Sequence, residues 1–237
     1  MQRVVRGVLV ALAVVALAVA GYVLDHHDRV PHAGDLLALP SQSATVAQPA
    51  AARTHPVVAF LGDDWTAGAG ASKQAKRFTT LLSQQLGIAE RNFGVAGAGY
   101  AKPSPAGGTY ASRIRSVVAA HPQVVVVSGG RNDVTDLAST VDEAARQLFK
   151  TLHADLPHAT LIAIAPMWGD SNLPPQLAAL GKAVQAAVTR VGGTYLDVPD
   201  PIHGHPSYMA DAADPNDRGY AEIATTLAPL IEPLLSR

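Results

Sequence analysis

The apolar positions of this chain follow two different patterns. Between residues 7 and 24 they are almost unbroken, with Arg3 and Arg6 ahead of them and Asp25-His26-His27-Asp28 closing the run. From Pro56 onward they recur as short aliphatic runs, each followed by a stretch of helical spacing. The runs at 57–61, 91–93, 123–127, 160–165 and 194–198 read as strands. The third is dominated by valine, as in a strand buried on both faces. Segments 73–86, 110–120, 141–153, 175–191 and 216–235 read as helices, and in the second Ile114, Val117 and Val118 share a face. Strand alternating with helix predicts a three-layer α/β/α sandwich around a flavodoxin-like, five-stranded parallel sheet.

The N-terminal part stands outside that alternation. Positive charge followed by apolar length is the pattern of an export signal, and its polarity places the rest of the chain outside the cytoplasm. Ala18-Val19-Ala20 suits a signal peptidase, while the run from 7 to 24 is also long enough to span a bilayer. A cleaved signal and a retained single-pass anchor both fit. Residues 25–54 hold Pro, Ala, Ser and His without a period and read as a flexible tether. The expected organisation is a signal peptide or signal anchor at 1–24, a linker at 25–54 and one domain at 55–237, extracytoplasmic and either secreted or membrane-anchored. A domain of about 180 residues can bury a full core.

Composition removes several classes of function. Lys and Arg number 18 against 19 Asp and Glu, so nothing favours nucleic acid. There is no cysteine, which excludes disulfides, thiolate catalysis and zinc sites built on sulfur.

Candidate chemistry gathers where strands end. Gly62-Asp63-Asp64 follows the first strand, Asn92, Gly94 and Gly97 the second, and Gly129-Gly130-Arg131-Asn132-Asp133 the third. In a parallel sheet these points share the carboxyl edge, where α/β proteins place their ligands. A fourth group, Asp211-Ala212-Ala213-Asp214-Pro215-Asn216-Asp217-Arg218-Gly219-Tyr220, precedes the last helix and can fold over that edge. Taken singly, each is an ordinary turn or helix cap. Their order and shared edge argue for a site.

In these blocks the chain resembles the SGNH hydrolases, the GDSL esterase and lipase superfamily, over roughly residues 57–235. The first block of that family, Gly-Asp-Ser with a Thr and Gly turn, is matched by Gly62, Asp63, Asp64, Thr66 and Gly68. The oxyanion glycine falls on Gly97, Gly-x-Asn-Asp is intact as Gly130-Arg131-Asn132-Asp133, and Asp-x-x-His-Pro aligns with Asp211-Ala212-Ala213-Asp214-Pro215. The resemblance, together with the strand-end residues, implies strand order 2-1-3-4-5. It implies an oxyanion hole from Gly97 N–H, the Asn132 amide and the backbone N–H of residue 64, with Asp63 and Arg131 beside it. No cofactor is implied.

The departures bear on chemistry. The family's serine nucleophile is replaced by Asp64 and its histidine base by Asp214, while Asp211, the residue that orients that histidine, is kept. Aspartate has no hydroxyl to activate, and at an ordinary pKa near ~3.9 it is a weak base at neutral pH. The first expectation is therefore a catalytically impaired domain that binds a cell-envelope glycan, an acylated ligand or a partner protein. The alternative is an active esterase or carbohydrate deacetylase with a relocated base, His203 or His205. A paired-carboxylate glycosidase mechanism and a Ca²⁺ or Mg²⁺ site on Asp63, Asp64, Asp211 and Asp214 are further possibilities. Against the metal stands the simpler pairing of these turn residues with Arg131, Arg218 or backbone donors. If the hole is otherwise empty, the Asp64 carboxylate should fill it, accepting from Gly97 and Asn132. Asp214 would then turn outward or meet an arginine or water.

Overall fold

A computed structural model describes residues 55–169 and 172–236. The export segment and tether inferred at 1–24 and 25–54 lie outside them. Among the described residues no helix is long and apolar enough to cross a membrane.

Five strands form one sheet: β1 (Val57–Gly62), β2 (Ala89–Gly94), β3 (Val124–Ser128), β4 (Thr160–Ile164) and β5 (Thr194–Leu196). Their order is β2-β1-β3-β4-β5, and every neighbouring pair is parallel. The chain leaves β1 for β2 on one side and returns to β3 on the other, so a crevice opens beyond the carboxyl end of β1.

The period-two alternation of β1, β3 and β4 feeds two separate cores. Val58, Phe60, Val124, Val126, Ile162 and Ile164 face α2 (Phe78–Leu86) and α6 (Asp217–Ile231). Ala59, Leu61, Val125, Val127, Leu161 and Ala163 face α3 (Ile114–Ala119), α4 (Ala138–Asp155) and α5 (Gln176–Arg190). Burial on both faces is why these strands read as continuous apolar runs.

Some boundaries differ from the sequence reading. The helix expected over 73–86 is a 3₁₀ turn, Gln74–Lys76, then α2, separated by Arg77 in an extended conformation. Arg77 is held out of the helix by its partners, Glu90 and Thr80, and its Cβ crosses directly over Gly68. The segment 110–120 likewise begins as a 3₁₀ turn, Tyr110–Arg113, before α3. The last helix stops at Ile231 and finishes as a 3₁₀ turn, Glu232–Leu234, with Pro233 in its first turn.

A four-residue helix, α1 (Asp64–Ala67), starts immediately after β1 and folds back across the ends of β1 and β2. Glycine makes that approach possible. A Cβ on Gly62 would lie 2.2 Å from both Ser128 O and Thr66 Oγ1, and one on Gly94 would lie 2.4 Å from Ala67 N. Asn92 braces the turn: its amide donates to Thr66 O at 2.7 Å and Thr79 Oγ1 at 2.9 Å, while its Oδ1 accepts from Gly94 N at 3.0 Å.

Candidate functional site

Three strand ends and one loop deliver the residues singled out from the sequence to one place. Asp64 begins α1 behind β1, Gly97 turns inward after β2 with φ 76°, and Asn132 sits in the 3₁₀ turn Arg131–Asp133 after β3. Asp64 Oδ2 accepts from Gly97 N at 3.0 Å and from Asn132 Nδ2 at 2.8 Å. The carboxylate therefore occupies both donors, as expected of an otherwise empty hole; an aspartate side chain is one atom longer than serine and reaches them. Asn132 also donates to Ala98 O at 2.8 Å, which fixes the orientation of its amide.

Asp63 points the other way. It is 1 % exposed and its Oδ1 accepts from Trp65 N at 3.2 Å, capping α1. Its Oδ2 has no hydrogen-bond partner among the described residues. Burial, and next the neighbouring Asp64 charge, push its carboxyl up to about 7, against the pull of Arg131 and of nearby backbone N–H groups. Gly130 N–H is one of these, although its hydrogen bond goes to Tyr110 Oη. Asp133 clamps the loop after β2, accepting from the backbone N–H groups of Tyr100, Ala101 and Lys102 at 2.8–2.9 Å.

The final loop carries Asp211 and Asp214. Asp211 is exposed, and its Oδ1 accepts from Ala213 N and Asp214 N, which hold its carboxyl below the usual range. Asp214 is half-buried and accepts no hydrogen bond on its side chain among the described residues. Burial raises its pKa, helped by Asp64 and Asp211 and opposed by Arg131. The cation expected from the sequence as a counter-charge is therefore Arg131. Arg218 instead lies over the Tyr208 ring, 5.4 Å from its centroid. No group of three or more His, Cys, Asp or Glu side chains among the described residues is disposed to hold a metal ion. His203 and His205 are exposed, and neither ring hydrogen-bonds to Asp64, Asp211 or Asp214 among the described residues; His205 lies 5.4 Å from the Tyr208 ring.

These blocks and this sheet are those of a known hydrolase group. Residues 60–222 match the model of the GDSL-like Lipase/Acylhydrolase family. The chain belongs to that family. A GDSL lipase from Mycobacterium tuberculosis is 28% identical over 195 residues, covering 76% of this chain and 82% of the relative. In structure, a lipase/acylhydrolase from Enterococcus faecalis is similar with a TM-score of 0.60 at 18% identity, over 76% of this chain and 96% of the other. A family two carbohydrate esterase from Clostridium thermocellum, solved with cellohexaose, is similar with a TM-score of 0.62 at 16% identity. That match covers 76% of this chain and 65% of the esterase.

Within this GDSL-like domain, carboxylates stand at positions 64 and 214, where the resemblance of the sequence blocks leads one to expect the nucleophile and the base. It can accept hydrogen bonds through Asp64 Oδ1, Asp211 Oδ2 and Asp214. It offers no hydroxyl at position 64 and no imidazole at position 214.

Sequence reasoning passed over three residues that shape the site. Arg131 lies over the rings of both Trp65 and Trp168, its guanidinium carbon 4.9 and 4.7 Å from the two ring centroids. Asp200 fixes Trp168 by accepting from Trp168 N and Gly169 N, both at 2.6 Å. The available signal was that both tryptophans come within four residues after a strand, at the edge where Asp64 and Asn132 lie.

Proposed function

We propose that this chain is an exported member of the GDSL-like family that has lost ordinary ester turnover. It would use its former active site, at the cell envelope, to bind a glycan or acylated ligand or to support a partner protein. The observation that carries this reading is the Asp64 carboxylate, bonded at 3.0 and 2.8 Å to the two donors that would otherwise receive a substrate oxyanion. An oxyanion hole accelerates acyl transfer only when its donors are free to meet developing charge. Here a side chain of the protein itself already satisfies them. The second support is the exposed, unengaged state of His203 and His205, which leaves Asp214 without a substitute base. A glycan reading draws on the fold shared with carbohydrate esterases, and envelope location on the N-terminal charge and apolar pattern.

The test is an assay of the purified protein on short-chain aryl esters and on acetylated oligosaccharides, beside Asp64→Ala, His203→Ala and His205→Ala variants. The proposal expects background rates from all four proteins. Turnover lost on Asp64→Ala would overturn it in favour of a carboxylate nucleophile. Turnover lost on either histidine substitution would identify a relocated base and an active esterase.

A further inference from the structure

The three residues beside the reacting positions do something the family blocks do not explain. Trp65 follows Asp64, Arg131 precedes Asn132 and Ala213 precedes Asp214. Ala213 O accepts from Trp65 Nε1 at 3.0 Å and also from Arg131 Nη1. The same guanidinium lies over both the Trp65 and Trp168 rings. One carbonyl of the final loop is thus tied to elements following β1 and β3, while Trp168, following β4, closes the stack.

Arg131 is also the cation facing the carboxyl groups of this region: it offsets charge at Asp63, Asp211 and Asp214. Without it, the loop bearing Asp211 and Asp214 would be pressed toward Asp64 with like charges only. The held loop also lines a cavity of about 400 Å³ through Met209, Ala210, Asp211 and Ala212, together with Gly169, Gly204 and Pro206. Stack, loop and cavity are therefore mechanically continuous, because Gly169 is the residue after Trp168 and packs against Met209.

We propose that Arg131 is a latch: packed against Trp65 and Trp168 and bonded to Ala213 O, it holds the 209–215 loop, which carries Asp214, beside Asp64 and controls access to both carboxylates. The latch works through the planar fork of the guanidinium, which can stack on two rings while donating in its plane. A lysine has the charge but not the plane. The inference holds whether the site turns over esters or only binds.

Carboxyl footprinting tests it on the full-length protein. A water-soluble carbodiimide with glycine amide modifies accessible carboxylates, and mass spectrometry reads Asp64 and Asp214 against the helix-surface residues Asp142 and Glu143. Arg131→Met should raise labelling of Asp64 and Asp214 several-fold with the two reference sites unchanged, and Arg131→Lys should behave the same way. The chain's two tryptophans are both in the stack, so their acrylamide quenching should rise in parallel. Unchanged labelling in Arg131→Met would overturn the latch. Wild-type behaviour of Arg131→Lys would show that charge alone holds the loop. A rise at all sites together would make Arg131 a residue of general stability instead. Either result would refute the proposal.

Discussion

Replacing Asp63 by asparagine should make the protein more stable at neutral pH while leaving it unchanged in acid. Asp63 is fully buried, its Oδ2 has no hydrogen-bond partner among the described residues, and burial pushes its carboxyl up from 3.8 to about 7. A raised carboxyl pKa means that the folded state holds a proton that the unfolded chain releases. Between pH 3.8 and about 7 the native state therefore binds more protons, and stability falls as pH rises through that window. At about 1.4 kcal/mol per pH unit, the whole shift is worth on the order of 4 kcal/mol. Asparagine keeps the Oδ1 acceptor for Trp65 N and cannot ionise. Urea denaturation of both proteins at half-unit steps from pH 4 to 8.5 checks this. The stability difference should be near zero at pH 4, grow in favour of the variant from there, and level off above pH 7. The raised pKa values of Asp133 and Asp214 and the lowered one of Asp211 shape both curves alike and cancel in the difference. A difference flat across the range would refute the reasoning, as would a variant losing ground as pH rises.

Two further substitutions probe the frame beneath the site. Asn92→Ala removes the three hydrogen bonds that brace α1 and should cost roughly 2–3 kcal/mol in chemical denaturation, since the freed groups are partly buried. Gly129→Ala should cost roughly 2–4 kcal/mol, read as a lowered thermal midpoint, through backbone strain and overpacking. Its φ is 126°, and a Cβ there would lie 2.3 Å from Tyr110 Oη and 2.4 Å from Asp63 Oδ2.

Much of this molecule is legible from apolar spacing, because a strand buried on both faces admits little besides Val, Ile, Leu, Ala and Phe. Val124 through Val127 could hardly be anything else. The helix starts were harder to read. Arg77 interrupts a helical pattern for the sake of Glu90, which lies on a neighbouring strand, and no local signal carries such a contact. The placement of the Asp64 carboxylate followed from counting atoms: a side chain one atom longer than serine, beginning at the same point, reaches the donors. The Trp65–Arg131–Trp168 stack was not legible in that way. Its members are 66 and 37 residues apart in sequence, and only the sheet order brings them together.

The central claim is that Asp64 closes the hole and that Asp214 has lost the base function, so that neither replacement alone restores catalysis. The most direct measurement is kcat/KM for a short-chain aryl ester with Asp64→Ser, Asp214→His and the double variant. Nucleophile and base act as one unit, so single restorations should remain near background and the double variant should exceed either by at least about 10²-fold. Equal rates in Asp64→Ser and the double variant would contradict the account, and so would a wild-type rate comparable to that of the double variant.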